Sequence, residues 1–216
     1  MTFLKTAVTA AALAILASAS AAQDAARVGV GFSMFGPTVE GQFAISDSFT
    51  VRGAVAGGLS ASGTTTADGL DYSINANIGA TTLLGTYHLP AGMRLSGGVM
   101  LPNTSIGGSV SGSATDEIGG FVIGSPFEVS SNTEFANSIA PMATVGFDIP
   151  VFGFVMSSDI GLVRTGGVDV TLTETTATPV IDGFFPTALS TAETTIETEL
   201  DHDYIPYVSF MVGKWF

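Results

Sequence analysis

The chain lacks cysteine and carries few charged residues. Its 216 residues include 6 Lys and Arg, 2 His and 1 Trp, and only 12% are charged, against about 25% in an average soluble domain. Without Cys, no disulfide can hold the fold together. With so few cations and a net charge of −13, the chain has no basic patch to neutralise phosphates, which excludes a nucleic-acid partner.

A long apolar run is also missing beyond the N-terminal region. The most apolar stretch, residues 139–163, is interrupted by Pro141, Asp148 and Pro150, so it holds no helix that could span a membrane, which takes about 20 apolar residues. The mean hydropathy is nevertheless +0.48, and 46% of the residues are hydrophobic. Two classes of exported protein combine these properties: a β-barrel that faces lipid, and a secreted or self-associating β-protein.

The first 22 residues have the three parts of a secretory signal peptide. Lys5 gives a positive start, residues 6–17 form a short apolar stretch, and small residues at 19–22 suit cleavage. The alternative is an uncleaved anchor helix, but the apolar stretch is shorter than a membrane span requires. We therefore expect residues 1–22 to be removed and residues 23–216 to form a single exported domain.

After the signal, apolar residues alternate with small or polar ones, which is typical of β-strands with two different faces. In the first strand, Val28, Val30 and Phe32 alternate with Gly and Ser. The pattern predicts eight strands, joined by short turns at 36–37, 46–48, 88–92 and 148–150, a Gly/Ser/Thr-rich loop at about 59–70, and long loops at about 101–137 and 165–203. The turn at 36–37 is short although it falls at the end of the long loops. A further hairpin within 101–137, suggested by the apolar residues in 120–129, would make ten strands.

Face composition and loop length together indicate the fold class. The faces opposite the apolar ones hold Gly, Ser, Asn and few charges, as in a narrow barrel interior, whereas a β-sandwich would expose Lys, Glu and Thr there. Short turns at one end, long loops at the other and an even strand number are the rule for bacterial outer-membrane barrels. We therefore predict an all-β fold, an eight-stranded antiparallel transmembrane β-barrel.

Two segments are similar to parts of a known group of proteins. One is the last strand, 207–216, in which apolar residues alternate up to a terminal Phe; the other is Met93-Arg94-Leu95-Ser96-Gly97-Gly98, similar to a strand opening in uncharacterised members of the group. With them the chain resembles the small outer-membrane barrels of Gram-negative bacteria, of the OmpA transmembrane-domain, OmpX and OmpW type.

The resemblance implies an integral, porin-like protein of the cell envelope that contacts the lipid bilayer and lipopolysaccharide. It also implies that the barrel assembly machinery reads a signal in the last strand, carried by Val208, Phe210, Val212 and Phe216. We further expect the barrel to be a monomer.

Four charged residues fall on the polar faces of predicted strands: Glu40, Arg52, Arg94 and Asp159. If these faces line the barrel, the four charges balance in sign and must pair, because an unpaired buried charge is costly. The structural interpretation is a charge network that fills a lumen too narrow for an open channel. The functional alternative is a gate or a narrow path for ions. We favour the structural interpretation.

The predicted loop at 165–203 is strongly acidic. Carboxylates suit Ca²⁺ or Mg²⁺, and such ions could bridge the loop to lipopolysaccharide phosphates, but the spacing matches no metal-binding loop. We therefore expect a solvated acidic loop, with no metal site and no cofactor. The eight acids are Asp169, Glu174, Asp182, Glu193, Glu197, Glu199, Asp201 and Asp203.

Candidates for catalysis are few. The predicted topology puts His88 and His202 at opposite ends of the barrel. His202 with a loop Ser and a nearby acid would imitate lipid-modifying outer-membrane enzymes, but spacing alone does not support such a group. We predict no catalytic residues and a structural or surface-interaction role in the outer membrane. The alternatives are a narrow pore, a lipid-modifying enzyme and a secreted soluble β-protein.

Overall fold

The computed structural model describes residues 25–67, 69–112, 117–118, 121–122, 127–174, 185–200 and 202–216. The predicted signal peptide, residues 1–22, lies outside the described residues. No described helix has the length and hydropathy of a membrane span. In chain order the described elements are β1 (Ala26–Ser33), β2 (Gly36–Ser46), β3 (Phe49–Ala67), β4 (Leu70–His88), β5 (Met93–Pro102), β6 (Ser105–Gly112), β7 (Glu117–Ile118), β8 (Phe121–Val122), β9 (Phe127–Phe135), β10 (Ala140–Val151), β11 (Phe154–Arg164), β12 (Val168–Glu174), α1 (Phe185–Leu200) and β13 (Tyr204–Trp215).

Eight antiparallel strands close a barrel in the order β1-β2-β3-β4-β5-β10-β11-β13, and β13 returns to β1. Val30 of β1, for example, lies opposite Val39 on one side and Val212 on the other. Backbone hydrogen bonds between Ala26 and Phe216 join the start of β1 to the C-terminal residue. The prediction of an eight-stranded antiparallel barrel is confirmed.

Three short connections lie at the same end of the barrel as the start of β1 and the end of β13, and we call this the turn end. They are Asp47-Ser48, the segment 89–92 and Phe152-Gly153. The first two match the predicted turns at 46–48 and 88–92. The predicted turn at 148–150 is wrong, because Asp148, Ile149 and Pro150 continue β10 and pair with β11. The chain reverses at Phe152 and Gly153, which both have positive φ, as a two-residue hairpin turn requires.

At the opposite end, the sheet continues beyond the barrel as an extension. It consists of the distal halves of β3 and β4, joined in order by β6, β9 and β12. The pairing of β3 with β4 has a β-bulge between Ala56 and Leu59, where the register shifts and Gly58 has a φ of 87°. A bulge of this kind bends a strand at a barrel rim. Helix α1 contacts the edge strand β12, where Glu193 Oε1 accepts a hydrogen bond from the Leu172 N–H at 2.6 Å.

The extension corrects the predicted loops. The segment 59–70 is not a loop, because β3 runs to Ala67 and β4 begins at Leu70. The segment 101–137 contains β6 to β9, and 165–203 contains β12 and α1. The additional strands do not make a ten-stranded barrel, since β6, β9 and β12 add to the distal part of β4 rather than to the closed ring.

The two sides of the barrel wall differ in polarity. Large apolar side chains cover the outside, such as Phe32 and Ile160, which are 66% and 65% exposed. Soluble monomers rarely expose contiguous apolar surface of this extent. The inward positions carry Gly, Thr, Ser and charged residues, with a smaller group of apolar residues such as Met100 and Val163, and they are largely buried. The alternation in the sequence therefore separates an apolar outside from a filled inside.

Candidate functional site: a charge ring inside the barrel

Six charged side chains meet inside the barrel near its turn end. They come from six different strands, because period-two alternation turns one residue of each strand inward at this level. Five of them are at most 6% exposed, and the sixth, Asp148, has a side chain that is 17% exposed. The six, which we call the charge ring, are Arg27, Glu40, Arg52, Asp159, Arg94 and Asp148.

Cations and anions alternate around the charge ring. Glu40 accepts from Arg27 at 2.9 Å and from Arg52 at 3.3 Å. Asp159 accepts from Arg52 at 2.9 Å and from Arg94 at 2.8 Å. Asp148 closes the cycle, 2.6 Å from Arg94 and 3.5 Å from Arg27. Three positive and three negative charges thus cancel, which offsets the cost of taking them out of water.

Inward-facing hydroxyl groups hold the charge ring in place. The Ser209 hydroxyl donates to Asp159 at 3.2 Å, and the Ser157 hydroxyl donates to Asp148 at 2.6 Å. Arg52 donates to Thr86 and Ser96, both at 2.9 Å. Each carboxylate therefore has several charge-assisted or hydroxyl partners, which fixes its geometry.

An apolar layer closes the interior toward the extension. Met100, Ala140 and Val163 are fully buried, and the Phe35 ring lies against that of Tyr207 with centroids 6.4 Å apart. An eight-stranded barrel is just wide enough for side chains to fill it. The interior thus has two stacked parts, the charge ring and the apolar layer. The layer consists of Phe35, Ala56, Ala80, Leu84, Met100, Ala140, Met142, Val163 and Tyr207.

Beside the charge ring, a hydroxyl, an imidazole and a carboxylate occur in the order of a hydrolytic triad. Thr50 Oγ1 lies 3.0 Å from His88 Nε2, and His88 Nδ1 lies 3.7 Å from Asp148 Oδ2. However, Thr50 is only 4% exposed and already accepts from Gln42 at 2.6 Å, and 3.7 Å is too long for a hydrogen bond. The group links the charge ring to β4 rather than presenting a nucleophile.

The four residues predicted to share the lumen, Glu40, Arg52, Arg94 and Asp159, all lie in the charge ring. Sequence reasoning missed Arg27 and Asp148. Arg27 has the same inward parity as Gly29 and Gly31, so alternation extended by one residue would have found it. Asp148 was assigned to a turn, which removed it from the strand pattern.

The remaining predicted features lie elsewhere. Val208, Phe210, Val212 and Phe216 are on the outer surface near the end of the chain, between 44% and 62% exposed. His202 lies next to β13 at the extension end, and His88 lies at the turn end, so the two are at opposite ends as predicted.

The acidic segment 165–203 is described only in part. Asp182 and Asp201 lie outside the described residues, and so do the side chains of Glu197 and Glu199. Among the residues that are described, no three His, Asp or Glu residues are grouped in a way that could hold a metal ion. Glu193 hydrogen-bonds the edge of β12.

Comparisons with known proteins bear on the fold. No protein-family model matches the chain, and no curated protein matches it. The chain is similar to the crystal structure of CarO from Acinetobacter baumannii, with a TM-score of 0.54, 15% identity, and coverage of 90% of this chain and 98% of CarO. It is also similar to that of Acinetobacter baumannii CarO2, with a TM-score of 0.53, 19% identity, and coverage of 89% and 97%. At these identities the likeness shows a shared barrel fold.

Proposed function

We propose that the protein is an integral outer-membrane barrel with a closed lumen and a structural or surface-interaction role. The observation that carries this proposal is that two layers of side chains, the charge ring and the apolar layer, fill the interior. A solute passing through would have to displace both the charge ring and the apolar layer. Breaking buried ion pairs typically costs several kcal/mol each, so the filled interior favours a plug over a narrow pore.

Membrane location is supported by the outer surface of the barrel. Its apolar side chains, with Phe43, Leu83 and Phe147 among them, are about half exposed and would be covered by lipid. A closed barrel satisfies its backbone hydrogen bonds internally, as a lipid-facing structure requires. The fold likeness to CarO and CarO2 supports the same assignment. A secreted soluble β-protein would leave this surface in water.

The finer relationship to barrels of the OmpA transmembrane-domain, OmpX and OmpW type is also part of the proposal, as are the cleaved signal peptide and the monomeric state. The relationship to these barrels is supported by the eight strands, the short turns at one end of the barrel and the long connections at the other. In this account the turn end faces the periplasm and the extension faces outward toward lipopolysaccharide. The exposed residues Val208, Phe210, Val212 and Phe216 would be read by the barrel assembly machinery during insertion.

We also propose that the protein is not an enzyme. Thr50, the hydroxyl next to His88, is buried and already hydrogen-bonded. His202 is exposed at the other end of the barrel, with its backbone carbonyl accepting from Thr165. Neither arrangement offers an accessible nucleophile beside a base.

Tryptophan quenching by brominated lipid tests the membrane assignment. In a Trp215→Phe background, Val145→Trp places a Trp on the outside of the barrel, and Thr171→Trp places one on the extension, at two exposed positions. After reconstitution, bromine on the acyl chains should quench Trp at 145 and not Trp at 171. Equal absence of quenching, or recovery of the protein in the soluble periplasmic fraction, would reject a membrane barrel.

A further inference from the structure

The two faces of the extension differ in chemistry. Strand register aligns Ser73, Ser109, Ser130 and Thr173 across one face, where the Ser73 and Ser109 hydroxyls are 2.8 Å apart. On the other face, the neighbouring row aligns Tyr72, Val110, Val129 and Glu174. The first face is therefore hydroxylic. The second, which we call the apolar face, is mostly apolar with a carboxylate at its edge strand, and it also carries the hydroxyls of Thr65, Ser131 and Thr133.

The apolar face forms a groove. Its volume is about 780 Å³, within the usual range for ligand pockets, about 300–1,000 Å³. The groove is lined by Tyr72, Ile74, Ile106, Val129, Leu172 and Ile196, among others. Tyr72, Ile74 and Ile106 are 40%, 58% and 43% exposed, so apolar surface remains open to a ligand.

The charge of the surrounding chain is of one sign. Among the described side chains of residues 57–78, 103–139 and 165–203, every charged one is an acid. These acids are Asp71, Glu128, Glu134, Asp169, Glu174, Glu193 and Asp203. Asp203 is paired with a cation, Arg164. A surface with one sign of charge raises the local concentration of opposite charges. An anionic ligand would be repelled from the groove, and a neutral one would gain nothing from the charge.

We propose that the groove of the extension binds a small amphipathic organic cation. The apolar body lies on Ile74, Ile106 and Leu172. The positive group faces the Tyr72 ring, which lines the groove and whose π-face attracts cations. This site is separate from the lumen and does not require it to conduct.

Gly63 offers a way to fill the groove with little disturbance to the fold. It lines the groove, and a Cβ added there would meet Ile74 Cγ2 at 3.9 Å, an ordinary contact. Gly63→Trp therefore places an indole in the ligand's position, and Gly63→Ala is the matched control. Heat-dependent gel migration identifies the folded barrel in both variants.

The test is fluorescence titration of the protein in phosphatidylcholine nanodiscs with berberine, a planar aromatic cation, and with anilinonaphthalene sulfonate, an anion of similar size. We expect saturable berberine binding above that of empty nanodiscs, unchanged in Gly63→Ala. We expect it to be weakened more than about tenfold, or about 1.4 kcal/mol, in Gly63→Trp. Tyr72→Leu, which removes the aromatic ring from the groove, should weaken it too, and the anion should not bind.

Three results would overturn the proposal. They are no saturable berberine binding, equal binding by folded Gly63→Trp, and binding of the anion as tight as that of the cation. Sedimentation of the wild type as a dimer that Gly63→Trp dissociates would assign the groove to a second copy of the chain instead.

Discussion

Arg94 and Asp159 form a two-point ion pair inside the barrel. Arg94 Nε donates to Asp159 Oδ1 at 3.1 Å, and Arg94 Nη2 donates to Asp159 Oδ2 at 2.8 Å. The same carboxylate also accepts from Arg52 and from the Ser209 hydroxyl. Each carboxylate of the charge ring bridges two arginines, but the Asp159 side chain is the most buried of the three and also has this two-point pair, so the stability of the interior should be most sensitive to it.

Replacing Asp159 with Asn should strongly destabilise the barrel. The change leaves Arg52 and Arg94 buried with less than their full counter-charge, and removing one partner of a buried pair costs about 3–5 kcal/mol. Urea unfolding of the reconstituted protein, followed by the fluorescence of Trp215, measures the free energy of unfolding.

The matched control for this change is Asp203→Asn. Asp203 pairs with Arg164 at 4.0 Å, and both side chains are more than half exposed. Loss of an exposed pair should cost less than about 1 kcal/mol. Equal losses of stability in the two variants would show that the charge ring does not contribute as a buried network.

Gly146→Ala should disturb the same ion pair without changing any charge. A Cβ at position 146 would collide with Asp159 Oδ1, Arg94 Nε and the backbone oxygen of Ser158. Overpacking of this kind costs about 1–3 kcal/mol. Gly97→Ala is the control, because a Cβ there meets no atom within 4 Å. The prediction fails if both glycine variants have the same urea midpoint of unfolding as the wild type.

Met100→Ala should create a cavity in the apolar layer. Met100 is completely buried, and truncation of such a side chain costs about 2–5 kcal/mol. Met100→Leu conserves most of the volume and should cost less than about 1.5 kcal/mol. The same urea unfolding measurement separates the two. A small loss in Met100→Ala would mean that the layer is loosely packed and does not seal the interior.

The sequence predicts the strands and their inward charged residues better than the apolar layer inside the barrel. Alternation is a direct consequence of strand geometry, so it places Glu40, Arg52, Arg94 and Asp159 inward without knowledge of the fold. The apolar layer was not predicted, because residues such as Met100 and Met142 face inward at positions where polarity alone indicates lipid. Alternation does place both on the inward face, with Arg94 and Thr144, but only the closed barrel shows that they pack together into one layer.

The turn at Phe152-Gly153 and the strands of the extension were not predicted, because the residues in each segment suggest a different local structure. Pro150 suggests a turn, but beyond Phe147 strand β10 pairs with β11 alone, and a strand with one free side tolerates Pro. The strands of the extension are rich in Gly, Ser, Thr and Asn. Their strand preference depends on neighbouring strands rather than on intrinsic propensity, so the sequence resembles loops.

The most direct test of the closed lumen is the conductance of the wild-type barrel in planar lipid bilayers. Gel migration before and after heating confirms that the inserted protein is folded. With the charge ring and the apolar layer both in place, we expect no discrete current steps at any voltage the bilayer withstands. Reproducible single-channel steps from the folded wild type would contradict the account and assign the interior to an ion path.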